Sequence, residues 1–173
     1  MSAAVAAIAR AFALVERIML GLACAALLAL TLMTTADAFL RYLFNAPITG
    51  THELADEFLM PAVIYFAMAY VYSAGGHIRI TILADLLPSG VRRAAMCACD
   101  AIACAIFAMI AHGVWRRAYD AYDFREYSTS PLDYLLAPSY AIVALGASLL
   151  ALRLGAAALT ARHPKAGLLS LDH

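Results

Sequence analysis

The chain alternates long apolar runs with short polar segments, and the lengths of these runs indicate a membrane protein. Four apolar runs are present, at residues 18–36, 58–76, 94–115 and 134–152. A hydrocarbon core of about 30 Å is crossed by roughly 20 apolar residues in a helix. Because a helix also satisfies its backbone polar groups within the segment, the pattern predicts four membrane-spanning α-helices.

We therefore expect an all-α integral membrane protein in which residues 1–173 form a single membrane domain. The four spans are predicted at about residues 18–40, 51–75, 92–118 and 131–160. A further segment, at about residues 77–88, is mostly apolar with interspersed charges. Such a composition is typical of a short segment that lies in the membrane interface.

Proline and small residues inside the spans predict how the helices bend and pack. Pro61 and Pro138 fall a turn or two inside the predicted helices. Each should remove one backbone hydrogen bond and bend its helix. Ala147, Ala151 and Gly155 recur every four residues, which predicts a seam of small residues suited to close helix contact in lipid.

The first apolar run has a second interpretation as the core of a cleaved signal peptide. Arg10 and Arg17 precede it, and residues 36–38 loosely resemble a small-x-small cleavage site. However, the run contains 19 residues, from 18 to 36, whereas the apolar region of a signal peptide has about 7–15. A retained helix is therefore favoured.

Composition agrees with lipid as the solvent and excludes other classes. The 173 residues are 65% hydrophobic and 14% charged, against roughly 45–50% and about 25% in soluble domains. Zero net charge excludes a general nucleic-acid binder, which would carry a basic excess.

All four cysteines, Cys24, Cys97, Cys99 and Cys104, lie in apolar runs, so we expect them to be packing residues rather than disulfides or zinc ligands.

The distribution of positive charge predicts the orientation. Of the twelve arginines and lysines, eight fall in the two ends and the second loop, and four fall in the first and third loops. Positive residues concentrate on the cytoplasmic side of membrane proteins. Both termini are therefore expected in the cytoplasm.

Charged side chains within or beside the spans are candidate functional residues because they are costly in lipid. Asp100 could be a proton relay or a paired structural acid, and the second is favoured because no other buried carboxylate accompanies it. Glu53, Asp56 and Glu57 are spaced i, i+3, i+4. They form an acidic stripe at the start of the second helix, where the helix dipole favours negative charge.

The end of the first helix carries the residues that would face this stripe. Asp37 and Arg41 are i, i+4 partners on one helix face. Arg41 is also the one strong cation of the first loop and therefore a candidate partner for the acids of the second helix. The sequence leaves open whether these charges form an ordered contact site or a solvated helix start with weak ion pairs.

An aromatic stripe marks the opposite end of the third helix from Asp100. Trp115, Tyr119 and Tyr122 are spaced i, i+4, i+7, so they lie on one helix face. Aromatic residues at this level commonly anchor a helix at the headgroups. The stripe is therefore either an interfacial anchor or a docking face for a partner.

Short motifs recur along the chain in a distinctive order. An arginine closes the first helix, a Phe-Asn-x-Pro loop follows, a Glu-Leu pair opens the second helix, and Gly-Gly-His-Ile-Arg-Ile follows that helix. The positions that carry these and later motifs are Arg41, Asn45, Pro47, Glu53, Gly75, Gly76, His77, Arg79, Asp85, Pro138 and Gly146. Their order and spacing over about residues 15–155 resemble the small membrane subunit of tripartite ATP-independent periplasmic (TRAP) transporters.

The resemblance implies an accessory subunit of a transporter in the bacterial inner membrane, not an enzyme. Its partners would be a large membrane subunit and a periplasmic substrate-binding protein, besides the lipid bilayer. The sodium and substrate sites would lie in the large subunit, so no cofactor is expected in this chain. The complex would import an organic acid or similar solute, and this subunit would act as a scaffold. The candidate docking face for the binding protein comprises Glu57, Trp115, Tyr119 and Tyr122.

Three positions depart from the family pattern. Gly50 stands where the family usually has tryptophan, His52 where an acid is common, and Thr81 where aspartate is frequent. These departures leave the predicted fold unaffected and concern the details of the outer-loop contacts.

Two other classes of membrane protein fit less well. An autonomous proton-coupled exporter of four helices needs a carboxylate inside the first helix, but Glu16 precedes that span and Asp100 is on the third. A b-type cytochrome needs facing histidine ligands, and His112 is the one histidine within a span.

Overall fold

The computed structural model describes residues 3–46, 48–75, 88–128 and 133–160. The helices are α1 (Ala3–Phe44), α2 (Thr51–Ser73), α3 (Ser89–Asp123) and α4 (Ala137–Thr160). In these ranges the other regular feature is an isolated β-bridge between Tyr127 and Leu135. Within the described residues, four helices are long and apolar enough to cross a membrane, which confirms the predicted all-α membrane fold.

Several predicted motif residues lie outside the described residues. They are Pro47, Gly76, His77, Arg79 and Asp85, together with most of the predicted interfacial segment at 77–88.

Helix α1 is longer than a membrane crossing requires. It has 42 residues, whereas roughly 20 residues suffice for the hydrocarbon core. The polar side chains that it buries, Glu16 and Asp37, are separated by about 32 Å at a rise of about 1.5 Å per residue. That separation is close to the thickness of the hydrocarbon core.

Helix α4 begins at Ala137, later than the predicted start at residue 131. The preceding residues form backbone bonds to the start of the α3–α4 connection instead of a helical turn. Ser128 N–H donates to Tyr134 O at 2.9 Å, and Leu136 N–H donates to Glu126 O at 3.0 Å. Pro138 therefore lies in the first turn of α4, where its missing N–H interrupts no helical bond. The predicted bend at Pro138 was wrong for this reason.

Helix α2 contains a π-helical turn over Ala55–Leu59, just before Pro61. A proline lacks the N–H that would bond to the carbonyl four residues earlier, here that of Glu57, and its ring crowds that carbonyl. The hydroxyl of Ser139 on α4 donates to Glu57 O instead. Pro61 thus frees a backbone acceptor on α2 that binds α4.

The helices pack in the order α1, α2, α4, α3 rather than in chain order. Helix α4 is the most enclosed: 39% of its most apolar stretch is buried, against 6% for α1. A core cluster of Tyr72, Leu150, Leu154 and Ala157 joins α2 to α4, and Phe107 of α3 packs against it. The central position of α4 explains why its sequence is rich in small residues.

The predicted seam of small residues on α4 forms the contact with α3. Ala147 is fully buried, and Cys104 Sγ donates to Ala151 O at 3.2 Å. A Cβ atom at Gly155 would lie 3.3 Å from Cys104 Sγ. Cys104 is thus a packing residue, and the four cysteines are free thiols.

Gly146 lets the backbones of α2 and α4 approach each other. A Cβ atom at this position would overlap Tyr65 O and would lie 2.6 Å from Tyr65 C and Tyr65 Cβ. These atoms are backbone or attached directly to it, so they cannot move aside without shifting a helix.

We predict that Gly146→Ala destabilises the bundle by roughly 1–3 kcal/mol, the usual cost of overpacking a tight contact. Gly113→Ala is the matched control, because a Cβ atom at Gly113 meets nothing within 4 Å and alanine favours helix more than glycine. The measurement is the apparent melting temperature of each purified variant in detergent. Equal melting temperatures for both variants would contradict the assigned contact.

Candidate functional site: the polar ends of the bundle

The connection between α1 and α2, here called the α1–α2 corner (residues 37–57), is organised by Asp37. This carboxylate is buried, with an exposed fraction of 4%. Its Oδ1 accepts the Ile48 N–H at 2.8 Å, and its Oδ2 accepts Arg41 Nη2–H at 2.7 Å. Asp37 therefore binds the incoming loop backbone to the last turns of α1.

Arg41 extends this arrangement to α2. Its Nη2 lies 3.3 Å from His52 Nε2, and since a guanidinium can only donate, the histidine nitrogen accepts. The i, i+4 pair with Asp37 forms as predicted. Within the described residues, Arg41 contacts Asp37 and His52 rather than the acidic stripe of α2, so the expected partnership with that stripe was wrong.

Two left-handed backbone positions shape the same corner. Asn45 has φ of 50° and follows the last residue of α1, and asparagine is among the few non-glycine residues that adopt this conformation readily. Gly50, with φ of 87°, immediately precedes α2. A tryptophan at position 50 would be strained in this left-handed backbone. The geometry of this loop therefore explains why glycine replaces the usual residue of the family pattern.

The acidic stripe splits between two environments. Asp56 is exposed and Glu53 is half-buried in the first turn of α2. Glu57 is half-buried, and its Oε2 is buried without a hydrogen-bond partner in the described structure. Glu57 is therefore partly withdrawn from the surface on which the sequence predicted it to act.

The opposite end of the bundle holds an ion pair between α1 and α4. Arg153 Nε lies 3.4 Å from Glu16 Oε1, and the Glu16 side chain has an exposed fraction of 3%. The Arg153 guanidinium also lies 5.9 Å from the ring centroid of Phe12 on α1. These contacts join the first and last helices beside the end of α2.

Asp100 is bonded at that same end of the bundle. The Tyr72 hydroxyl donates to Asp100 Oδ2 at 3.0 Å, and both residues are buried. This agrees with the interpretation of Asp100 as a paired structural acid. The side chain of Arg93, the partner suggested by the sequence, lies outside the described residues.

The aromatic stripe of α3 divides into one inward and two outward residues. Trp115 Nε1–H donates to Ser148 Oγ on α4 at 3.2 Å, and the Ser148 hydroxyl donates to Ala144 O at 2.6 Å. Tyr119 and Tyr122 are 68% and 70% exposed. Trp115 thus joins two helices, and the two tyrosines are available to the surroundings.

The α3–α4 connection is held by an arginine that the sequence analysis did not single out. Arg117 forms a two-pronged pair with Glu126, with Nη1 2.9 Å from Oε1 and Nη2 2.7 Å from Oε2. Its guanidinium also lies 5.3 Å from the ring centroid of Tyr140 on α4. Arg117 therefore fastens the loop to both helices that it connects.

The structure brings only some of the predicted site residues together. Arg41, Asn45 and Glu53 share the α1–α2 corner, whereas Gly146 lies within the α2–α4 contact and Gly75, with φ of 75°, ends α2. The sequence analysis missed the Glu16–Arg153 pair. The one feature of the sequence that pointed to this pair is that Glu16 and Arg153 are each a charged residue flanking an apolar run.

These polar contacts join helices of the chain to one another. Among the described residues, no group of three His, Cys, Asp or Glu side chains converges as metal ligands would. The arrangement can therefore fasten helices and present surfaces to partners.

Comparison with known protein families assigns the chain to a class of transporter component. A family model described as "Tripartite ATP-independent periplasmic transporters, DctQ component" matches residues 30–162, about three quarters of the chain. The chain belongs to this family: it is a small membrane subunit of a TRAP transporter and not an enzyme. Among curated proteins, none matches it.

We predict that Asp37→Ala lowers the apparent melting temperature by roughly 3–6 °C, since it leaves the Ile48 N–H and Arg41 without their buried acceptor. Asp56→Ala, which removes an exposed carboxylate from the same corner, is the control and should change it by less than about 1 °C. Equal effects of the two substitutions would show that the buried bonds of Asp37 do not organise the corner.

A double-mutant cycle tests the pair between α1 and α4. Glu16→Leu or Arg153→Leu alone should destabilise the bundle by about 1–3 kcal/mol, because each leaves one charge of the pair without its partner. The double variant should recover most of this loss, because it leaves neither charge unpaired. Strictly additive losses, measured by denaturation in detergent, would show that the two residues are not coupled.

Proposed function

We propose that this chain is the static scaffold subunit of a sodium-coupled TRAP transporter that imports an organic acid or a similar solute. The observation that carries the proposal is the internal pairing of its buried charged residues. Glu16 pairs with Arg153, Asp37 with Arg41, and Asp100 bonds to Tyr72. Charged groups committed to fastening helices support a structural role, whereas a transport path would need groups facing a substrate or ion.

The large uncovered surface of α1 supports a membrane partner of substantial size. Its exposed apolar side chains include Leu28, Leu32 and Phe39, each more than 60% exposed. Such a surface suits lipid or another membrane protein. We propose that the large TRAP membrane subunit covers part of this surface and carries the sodium and substrate sites.

We further propose that the chain lies in the bacterial inner membrane with both termini in the cytoplasm. The excess of arginine and lysine at the two ends and in the second loop supports this orientation. The Glu16–Arg153 pair agrees with it, because it places the start of the α1 span and the end of the α4 span on one side.

In this orientation the α1–α2 corner and the α3–α4 connection face the periplasm. We propose that the periplasmic substrate-binding protein docks at this end, where Glu53, Asp56 and Tyr122 reach the surface. Trp115 and Glu57, which the sequence placed on the docking face, would support it from within, because Trp115 donates to Ser148 on α4 and the Glu57 Oε2 is buried.

An autonomous proton-coupled transporter remains the alternative function. It would require a carboxylate that exchanges protons along a path through this chain alone. The bond between Asp100 and Tyr72 gives that carboxylate a structural role instead.

Reconstitution distinguishes the two functions. We predict that the chain alone in proteoliposomes moves no solute under a sodium or proton gradient, and that a tagged version expressed in its host copurifies with a large polytopic membrane protein. Uptake of the host's organic acids should require both membrane chains and the binding protein. Gradient-driven transport by the isolated chain would refute the scaffold proposal, whereas copurification without uptake would refute the proposed transport activity of the assembled complex.

A further inference from the structure

Two adjoining cavities of unlike chemistry lie between the end of α3 and the start of α4. The first has a volume of about 290 Å³ and is lined by Trp115, Tyr119, Tyr122, Pro138, Ala141 and neighbouring apolar side chains. The second has a volume of about 360 Å³ and is lined by Tyr122, Asp123, Arg125, Tyr127 and Leu135. Tyr122 and Leu135 line both cavities, so an apolar cavity continues into a charged one.

The position of these cavities along α3 corresponds to the boundary between acyl chains and headgroups. Trp115 is the last residue of an apolar run, and Arg116 and Arg117 follow it. Tyr122 lies about 10 Å further along the helix axis at a rise of about 1.5 Å per residue. The headgroup region of each leaflet is roughly 5–8 Å deep. The apolar cavity therefore begins at the edge of the hydrocarbon core, and the charged cavity lies at the outer edge of the headgroup region.

The charged cavity presents one carboxylate and one guanidinium. Asp123 and Arg125 are both exposed, and neither forms an ion pair with the rest of the described chain. Nearby, Arg117 and Glu126 neutralise each other through their two-pronged pair. Within the described residues, Asp123 and Arg125 are thus available to bind other charges.

We propose that these two cavities form a binding site for a phospholipid with a zwitterionic headgroup that carries a primary ammonium, of the phosphatidylethanolamine class. One acyl chain lies in the apolar cavity against Tyr119, Pro138 and Ala141. The phosphate binds Arg125, and the ammonium binds Asp123. The lipid completes the surface between α3 and α4, where aromatic side chains would otherwise border an empty space.

The charge pattern selects among lipid headgroups. A primary ammonium donates hydrogen bonds to a carboxylate, whereas the quaternary ammonium of phosphatidylcholine cannot. The glycerol headgroup of phosphatidylglycerol carries no cation, so it leaves Asp123 beside a net negative lipid. The site should therefore favour phosphatidylethanolamine over both.

Native mass spectrometry of the full chain, with any subunit that copurifies, tests the proposal with defined lipids added in detergent. We expect phosphatidylethanolamine to bind about fivefold more tightly than phosphatidylcholine or phosphatidylglycerol, the scale of one exposed charge contact. Asp123→Asn should abolish the preference over phosphatidylglycerol. Arg125→Gln should weaken all three lipids by a similar factor.

The matched controls are Asp120→Asn and Arg116→Gln, which alter exposed charges of the same helix that line neither cavity. Both should bind lipid as the unaltered chain does. Ala141→Phe, which fills the apolar cavity, should reduce the bound phosphatidylethanolamine while the controls and the melting temperature stay unchanged. Equal binding of the three lipids, or equal losses in the controls, would overturn the proposal. The proposal would also be overturned if the Ala141→Phe variant kept its bound phosphatidylethanolamine but no longer docked the binding protein.

Discussion

The close contact between the backbones of α2 and α4 at Tyr65 and Gly146 is the constraint on which the rest of the bundle depends. In lipid, helices gain nothing from burying apolar surface against each other, so close packing and polar bonds must hold them together. Gly146 permits that packing, and the Ser139–Glu57 bond reinforces it near one end of the interface. With α2 fixed on one side of α4, the seam of small residues is left for α3, and α1 packs mainly on α2, with the Glu16–Arg153 pair as its contact with α4.

Polar side chains also hold the helices together, at the two ends of the bundle. Asp37 closes the α1–α2 corner, and Glu16 joins α1 to α4 at the other end. Both carboxylates are buried and both are paired, because an isolated charge at such depth would be too costly. In these contacts the polar groups of the chain hold helices in place.

The spans could be predicted from sequence because their length and lack of charge are properties of each segment alone. The pair of Asp37 and Arg41 could also be predicted, since i, i+4 neighbours meet on any helix. The start of α4 could not, because the bonds that hold Tyr134 and Leu136 come from the preceding loop. Nor could the partner of Glu16 or the burial of the Glu57 carboxylate, which are set by the order in which distant helices pack. Gly146 was singled out by resemblance, but only the neighbouring Tyr65 backbone explains the need for glycine.

The order α1, α2, α4, α3 makes the protein a pair of helical hairpins, since each outer helix lies beside its neighbour in the chain. The first hairpin, α1 with α2, and the second, α3 with α4, can each form from local contacts as the chain enters the membrane. The α2–α4 interface joins these two halves, and the Glu16–Arg153 and Tyr72–Asp100 contacts cross the same divide. The two hairpins are therefore held together by a tight backbone contact and by polar ones.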